Sequence, residues 1–392
     1  MREVLLDGRP ETVAELNAAL ADVLSGAGEV VLPLDANAPN LAALRAGAAP
    51  ELPFGADAAV VISTSGSTGE AKGVEISRSA LRASAQATHA RLGGPGSWLL
   101  ATPAQYIGGV QVLVRSLLAG TVPGVVDLSV PFRSAGFAAA AEPVLSGPPG
   151  RRYTAMVPTQ LRTLLAEGGA GLDALTAFDA VILGAAATSD QLRAAAIEAG
   201  VHVVPAYGMT ETASGCVYDG RPLDGVRLRL AEPEAGAGRV ELAGPVLATG
   251  YRGRVRETGA AFRDGWFRTG DSGRIDEHGR LEVLGRTDDL INTGGVKVAP
   301  ALVERALLAQ AGVAEACVLG LPDEHWGQAV VAVIVPSDPD RLPDLDALRA
   351  AVRDGVGRAA VPKQVRYLEK LPLRGPGKID KAALRQLLGQ TC

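Results

Sequence analysis

The chain has 392 residues, 47% of them hydrophobic, and carries 38 Lys and Arg against 43 Asp and Glu for a formal net charge of −5. That length exceeds one ordinary core, so two or three domains are expected, and the near-balanced charge offers no electrostatic footprint for nucleic acid. Cys216, Cys317 and Cys392 are odd in number and contain no C-x-x-C pair, which argues against a disulfide framework or zinc knuckle and for a reducing compartment.

The apolar run in MREVLLDGRPETVAELNAAL is too short for a signal peptide, and no stretch reaches the length of a bilayer span. A soluble, cytoplasmic protein is expected, and either a monomer or a homodimer is compatible with the sequence. The segment AAVVIST (58–64) reads as a strand that enters a glycine-rich loop and then a helix over 76–92. Strands over 97–103, 153–158, 178–184 and 201–208 then alternate with helices over 108–120, 159–168 and 189–200. Such alternation predicts a doubly wound parallel α/β sheet. After Arg221 the texture changes to short strands over 226–230, 238–244, 265–276 and 280–286, an antiparallel, barrel-like part. Residues 146–150 and 232–238 read as surface loops. A helix from Ala301 to Ala311, strands over 316–322 and 329–336, and a helix over 344–355 make a compact α+β unit. The expected architecture is a large N-terminal domain, residues 1–287, with its barrel-like part at 221–287. A smaller α+β C-terminal domain, residues 288–392, would follow.

Five segments carry chemistry. STSGSTGEAKG (63–73) offers backbone N–H groups, hydroxyls and Lys72, a composition suited to holding phosphates. It is not the P-loop of nucleoside triphosphatases, which needs Gly before its lysine and Ser or Thr after it, where this chain has Ala71 and Gly73. YGMTET (207–212) sets an aromatic ring, two threonines and a carboxylate beyond a strand end, where α/β sheets bind ligands. FRTGD (267–271) and GRTDDLINTGG (285–295) follow, and LPLRGPGKIDKAAL (371–384) presents Lys378 between glycine and isoleucine. Each alone has a plainer reading: a surface turn, an N-capping threonine, an Asp-Gly turn, a surface salt bridge of little worth, a solvated lysine. The four histidines are scattered and suggest no metal site.

Together and in this order, the segments resemble the adenylate-forming superfamily of acyl-CoA ligases, non-ribosomal adenylation domains and luciferases. The resemblance implies that Ser63, Thr64, Ser65, Gly66, Ser67, Thr68, Gly69 and Lys72 cradle the ATP phosphates, although most members have proline where this chain has Ala71. It implies that Tyr207 stacks on adenine, Thr210 contacts the α-phosphate and Glu211 holds Mg²⁺, while Asp271 binds the ribose and Arg286 reaches the ribose or phosphates. Asp288 falls at the family's hinge, and Lys378 would bridge carboxylate and α-phosphate in the adenylation transition state. Little precedes the phosphate loop, so the usual N-terminal portion of the family is expected to be trimmed.

The segment TPAQYIGGVQVLVRSLLAGT (102–121) resembles the o-succinylbenzoate–CoA ligase family, in which an arginine on this helix helps bind the second carboxylate. Arg115 matches it, and a charged residue among Val112, Leu113, Val114, Leu117 and Leu118 needs a partner. The alternative is an exposed arginine on an amphipathic helix. Gln105 and Tyr106 stand where many relatives carry histidine. Gly184, Gly208, Met209 and Ser214 are candidate pocket residues by the same resemblance. The expected activity is therefore ligation of 2-succinylbenzoate to CoA, with ATP and Mg²⁺. Ligation of another aryl or short acyl acid, a standalone adenylation enzyme, and an inactive nucleotide-binding protein are the alternatives.

Overall fold

The computed structural model describes residues 1–65, 70–234, 236–374 and 378–389. Two compact units emerge, one comprising Met1–Thr188, Ala195–Arg229 and Glu241–Thr269, the other Ser189–Ala194, Leu230–Val240 and Gly270–Cys392.

Elements of the first unit begin with β1 (Arg2–Leu6), α1 (Pro10–Ser25), β2 (Val31–Asp35) and α2 (Leu41–Gly47), in a region where the sequence suggested no elements. They continue with β3 (Ala58–Ser65), β4 (Ala71–Ser77), α3 (Arg78–Leu92), β5 (Gly96–Leu100), α4 (Ile107–Ala119), β6 (Gly124–Val125) and α5 (Ser134–Leu145). Next along the chain come β7 (Arg151–Met156), α6 (Pro158–Glu167), α7 (Gly169–Thr176), β8 (Ala180–Leu183), α8 (Asp190–Glu198, its first residues in the second unit), β9 (Val203–Met209), β10 (Ser214–Tyr218) and β11 (Arg221–Pro222). One sheet has the order β11-β10-β9-β8-β7-β5-β6. Its β6, β5, β7, β8 and β9 are parallel, as the strand–helix alternation predicts. Trp98 and Tyr153 are wholly buried on neighbouring strands, ring centroids 4.9 Å apart.

The glycine-rich loop departs from expectation. It does not lead into a helix but joins β3 to β4 as an antiparallel hairpin, with Ser63 opposite Gly73, Thr64 opposite Lys72 and Ser65 opposite Ala71. The helix begins only after β4, where the Ser77 hydroxyl caps α3 by accepting from the Ala80 N–H. Gly73 has a packing reason: a Cβ there would come within 2.6 Å of the Gly47 carbonyl oxygen. This hairpin belongs to the second sheet, of order β1-β2-β3-β4-β14, where β14 is Gly250–Tyr251.

Between β11 and β14 lie β12 (Arg227–Glu234) and β13 (Ala237–Ala243), so that 232–238 is largely strand instead of loop. After β14 come α9 (Val255–Ala261), β15 (Phe262–Arg263), β16 (Trp266–Ile275) and β17 (Leu281–Arg286). The antiparallel character expected here is present: Phe262 pairs with Phe267, and Asp271 with Arg286.

In the second unit, β18 (Ile291–Thr293), β19 (Val296–Val298), α10 (Pro300–Leu308), β20 (Val313–Asp323), β21 (Gly327–Pro336), α11 (Leu345–Gly355) and β22 (Gln364–Tyr367) precede β23 (Leu373–Arg374), β24 (Lys378–Ile379) and α12 (Lys381–Gly389). Both faces of the β20–β21 pair are covered. Val318, Val330, Ala332 and Ile334 pack with Val303, Leu307, Leu348 and Val352, while Cys317, Leu319 and Val333 pack with Leu371 and Leu384. A strand covered on both faces explains the unbroken apolar run AVVAVIVP.

Arg252, just after β14, is buried and donates to the carbonyls of Ala48, Ala49, Leu52 and Pro53 and, at 2.9 Å, to the Glu75 carboxylate of β4. Replacing Arg252 with methionine is expected to cost about 3–5 kcal/mol by leaving Glu75 buried without its partner. Urea unfolding of the variant measures this, and Glu75→Gln in the Arg252→Met background is expected to recover part of the loss.

Candidate adenylate-forming site

The hairpin β3–β4 presents Lys72 at the base of the glycine-rich loop. Its ammonium lies 2.5 Å from Glu257 Oε2 of α9 and 5.3 Å from the Tyr251 ring centroid. Arg254 donates to the other oxygen of Glu257 at 2.7 Å and to Glu70 at 3.1 Å. Lys72 first, and Arg254 with it, hold the Glu257 carboxyl below the usual range. The Tyr251 hydroxyl donates to Glu211 Oε1 at 2.9 Å. The structure thus joins Lys72 to Glu211 through one aromatic ring. Two other hydroxyls expected at the phosphates bond to backbone here: Ser63 donates to Leu44 O at 2.7 Å and Thr64 to Lys72 O at 3.4 Å. Gly66, Ser67, Thr68 and Gly69 lie outside the described residues, as does the Ser65 side chain.

Glu211 sits in a tight 3-10 turn, Thr210–Thr212, at the end of β9. Thr212 is fully buried and fixes the turn, its hydroxyl accepting from Met209 N–H at 2.9 Å and lying 2.8 Å from Ser214 O. Ala213 and Ser214 then take φ of 48° and 92°, the left-handed region that costs a residue with a Cβ. Two consecutive residues held there fit the observation that strain gathers at functional sites. The turn lets β10 double back on β9, placing Val217 opposite Tyr207, Gly215 opposite Gly208 and Ser214 opposite Met209. Gly208 must be glycine, since a Cβ would lie 2.2 Å from Ser214 O. Gly184, beyond β8, lies on the same side of the sheet end, with Ala206 O 3.7 Å from its notional Cβ. Ala248 N–H donates to Glu211 O at 2.8 Å, tying the turn to the segment that enters β14.

Arg115 is on α4 and only 2% exposed. Its guanidinium lies 5.0 Å from the Trp98 ring and 3.4 Å from Tyr218 Oη, which in turn is 3.1 Å from the Thr88 hydroxyl. The alternative of an exposed arginine on an amphipathic helix does not hold: the arginine is enclosed, and its Nε has no hydrogen-bond partner among the described residues. Burial pulls its pKa down. Burial, with Arg115 second, also lowers that of His89 to about 4, so this histidine is buried and neutral.

In the second unit, Arg286 reaches Asp288 through two hydrogen bonds of 3.0 and 3.1 Å and approaches Asp271 at 3.8 Å. Asp288 therefore lies within this unit, between β17 and β18. Lys378 forms part of β24, opposite Arg374; its side chain lies outside the described residues. Lys381, which no motif singled out, donates to Asp289 at 2.8 Å; burial lowers its pKa, and Glu304 and Asp289 together raise it beyond that. That pair fastens α12, and so the strand carrying Lys378, to the segment after Arg286. Tyr251, Arg252, Arg254 and Glu257 were also missed, although GYRGRVRET combines an aromatic ring and four charges in nine residues.

Among the described residues no three His, Cys, Asp or Glu side chains converge to hold a metal. A lone carboxylate at Glu211 suits an ion carried in by phosphates and water, the usual habit of Mg²⁺. No helix among the described residues is long and apolar enough to cross a membrane.

The chain matches the AMP-binding enzyme family over residues 4–252 and the AMP-binding enzyme C-terminal domain over residues 302–378. It belongs to this family of adenylate-forming enzymes. It is similar to a probable 2-succinylbenzoate–CoA ligase of Mycobacterium tuberculosis, 46% identical over 85% of this chain and 86% of that protein. A feruloyl-CoA synthase of Amycolatopsis is 32% identical over 96% of this chain and 82% of its own length. Among solved structures, o-succinylbenzoate CoA synthetase of Bacillus subtilis in complex with its acyl-adenylate intermediate superposes with a TM-score of 0.73, at 26% identity over 95% of this chain and 80% of that one. An amide bond synthetase of Marinactinospora thermotolerans gives a TM-score of 0.77, at 27% identity over 98% and 80%.

Because His89 is held neutral, its folded-state pKa lies below the ordinary 6.5. Its contribution to stability is present above pH 6.5 and is lost as pH falls toward 4. His89→Gln is expected to flatten that part of the melting temperature–pH profile, measured by thermal unfolding.

Proposed function

We propose that the chain is an AMP-forming acid–CoA ligase that converts 2-succinylbenzoate to its CoA thioester, the menaquinone-pathway reaction, in the cytoplasm and without a nucleic-acid partner. The observation that carries the acid's identity is the 46% identity, over 85% of this chain and 86% of the relative, to a probable 2-succinylbenzoate–CoA ligase. The Lys72–Tyr251–Glu211 arrangement supports the chemistry.

Lys72 is assigned to the outer phosphates of ATP, Tyr207 to the adenine and Asp271 to the ribose hydroxyls. Thr210 would meet the α-phosphate. Glu211 would hold Mg²⁺, and the ion would supply charge neutralisation at the phosphates. The substrate carboxylate attacks the α-phosphate, pyrophosphate departs, and the CoA thiol then displaces AMP. Lys378 is assigned to the first step, where negative charge builds between two anionic partners. Gly184, Gly208, Met209 and Ser214 are assigned to the acid pocket. The acid's second carboxylate is assigned to Arg115, whose buried charge has no carboxylate partner among the described residues. Asp288 is assigned as the hinge between residues 1–287 and 288–392, and its paired hydrogen bonds to Arg286 would have to open when it turns.

The feruloyl-CoA synthase likeness supports a second reading, an aryl acid with one carboxylate. Thioester formation with 2-succinylbenzoate, ferulate and benzoate separates the two. The proposal expects turnover with 2-succinylbenzoate well above the others, and a preference for ferulate would replace it. Lys378→Ala is expected to slow adenylation by roughly 100- to 1,000-fold while sparing thioester formation from supplied acyl-adenylate. Equal loss in both steps would remove the assigned role.

A further inference from the structure

The contacts around Lys72 form a chain of alternating charges that runs from Glu70 through Arg254, Glu257 and Lys72 to the Tyr251 ring and Glu211. Lys72 and Arg254 supply two cations, and Glu70, Glu211 and Glu257 supply three carboxylates. Glu257 is central, since each of its oxygens meets a different cation, Lys72 at 2.5 Å and Arg254 at 2.7 Å. Its placement is fixed by the backbone on both sides. Tyr251 N–H donates to the Thr258 hydroxyl at 2.9 Å, and Arg254 donates to Ala71 O at 3.2 Å, next to Lys72 in β4.

We infer that Glu257 is an exchange anion for Lys72. It holds the ammonium in place before ATP arrives, yields it to the polyphosphate, and takes it back as pyrophosphate leaves. This rests on the reading of Lys72 as a phosphate ligand. Two physical features support it. A lysine has a flexible four-carbon stem and a compact charge, so it can move between two anions with little rearrangement of the backbone. Arg254 stays beside Glu257 and partly compensates it, so the carboxylate is not left bare when Lys72 departs. With three carboxylates against two cations, the network also repels an incoming polyphosphate, and removal of one carboxylate relieves that repulsion. Glu257 is thus a positioning residue: it acts through Lys72 and touches neither the acid nor the α-phosphate.

The test is Glu257→Gln, which keeps the side chain's size and removes its charge. The position is partly exposed, at 39% of its side chain, and the variant is checked for an unchanged melting temperature. Mg-ATP binding by calorimetry, without acid or CoA, is expected to tighten roughly three- to fivefold. Inhibition by added pyrophosphate is expected to strengthen by a similar factor, because the same cation is freed for both. Glu257→Asp restores the charge and should return both values toward wild type. Weaker or unchanged binding of ATP and pyrophosphate in Glu257→Gln, with wild type binding ATP normally, would overturn the inference and leave the ligase reading standing. Failure of the wild-type chain itself to bind Mg-ATP would remove both.

Discussion

The guanidinium of Arg252 commits all five of its N–H donors inside the first unit, four to carbonyls of residues 48–53 and one to Glu75. The Phe54 ring closes one side, 4.0 Å away. Its backbone N–H also donates to Gly73 O, and the adjoining β14 pairs with β4 at Glu75 and Val74. One residue therefore joins the turn after α2, the hairpin carrying Lys72 and the strand carrying Tyr251. A buried guanidinium is tolerated only when its donors are satisfied and its charge is met, so these three segments are constrained as a set. The placement of Lys72 relative to Tyr251 depends on that constraint, while Glu211 is tied to the same strand by the Ala248 N–H and the Tyr251 hydroxyl.

The charges near Lys72 are arranged differently from those at Arg115. Around Lys72, partly exposed carboxylates and cations alternate, an arrangement that can exchange partners cheaply because water screens each contact. Around Arg115 water is excluded and the partners are a phenol and an aromatic face, an arrangement that fixes a helix against β10 and keeps His89 neutral. In the second unit, Lys381 is partly exposed and paired with the Asp289 carboxylate, and that pair ties the C-terminal helix to the segment after Arg286.

Much of this was legible in the sequence because the relevant signals are local. Strand and helix alternation over 96–209 follows from apolar runs punctuated by glycine, and the AVVAVIVP strand from its uninterrupted hydrophobicity. The hairpin was misread because AKGVEIS is short and ends in a helix-capping serine, so periodicity could not separate a strand from the start of α3. That the Gly47 carbonyl requires glycine at position 73 depends on a contact made only in the fold. Arg252, Arg254 and Glu257 read as ordinary surface charges, since neither burial nor pairing across two hundred residues has a local signature. The enclosure of Arg115 was likewise invisible, as Trp98, Tyr218 and Thr88 come from three other elements.

The central claim is that the chain makes an acyl-adenylate on a site built around Lys72, Tyr251 and Glu211. Acid-dependent exchange of labelled pyrophosphate into ATP, with CoA left out, tests it most directly. The account predicts exchange with 2-succinylbenzoate that disappears without the acid and falls sharply in Glu211→Gln. No exchange with any carboxylic acid, from a folded chain that binds Mg-ATP, would contradict it.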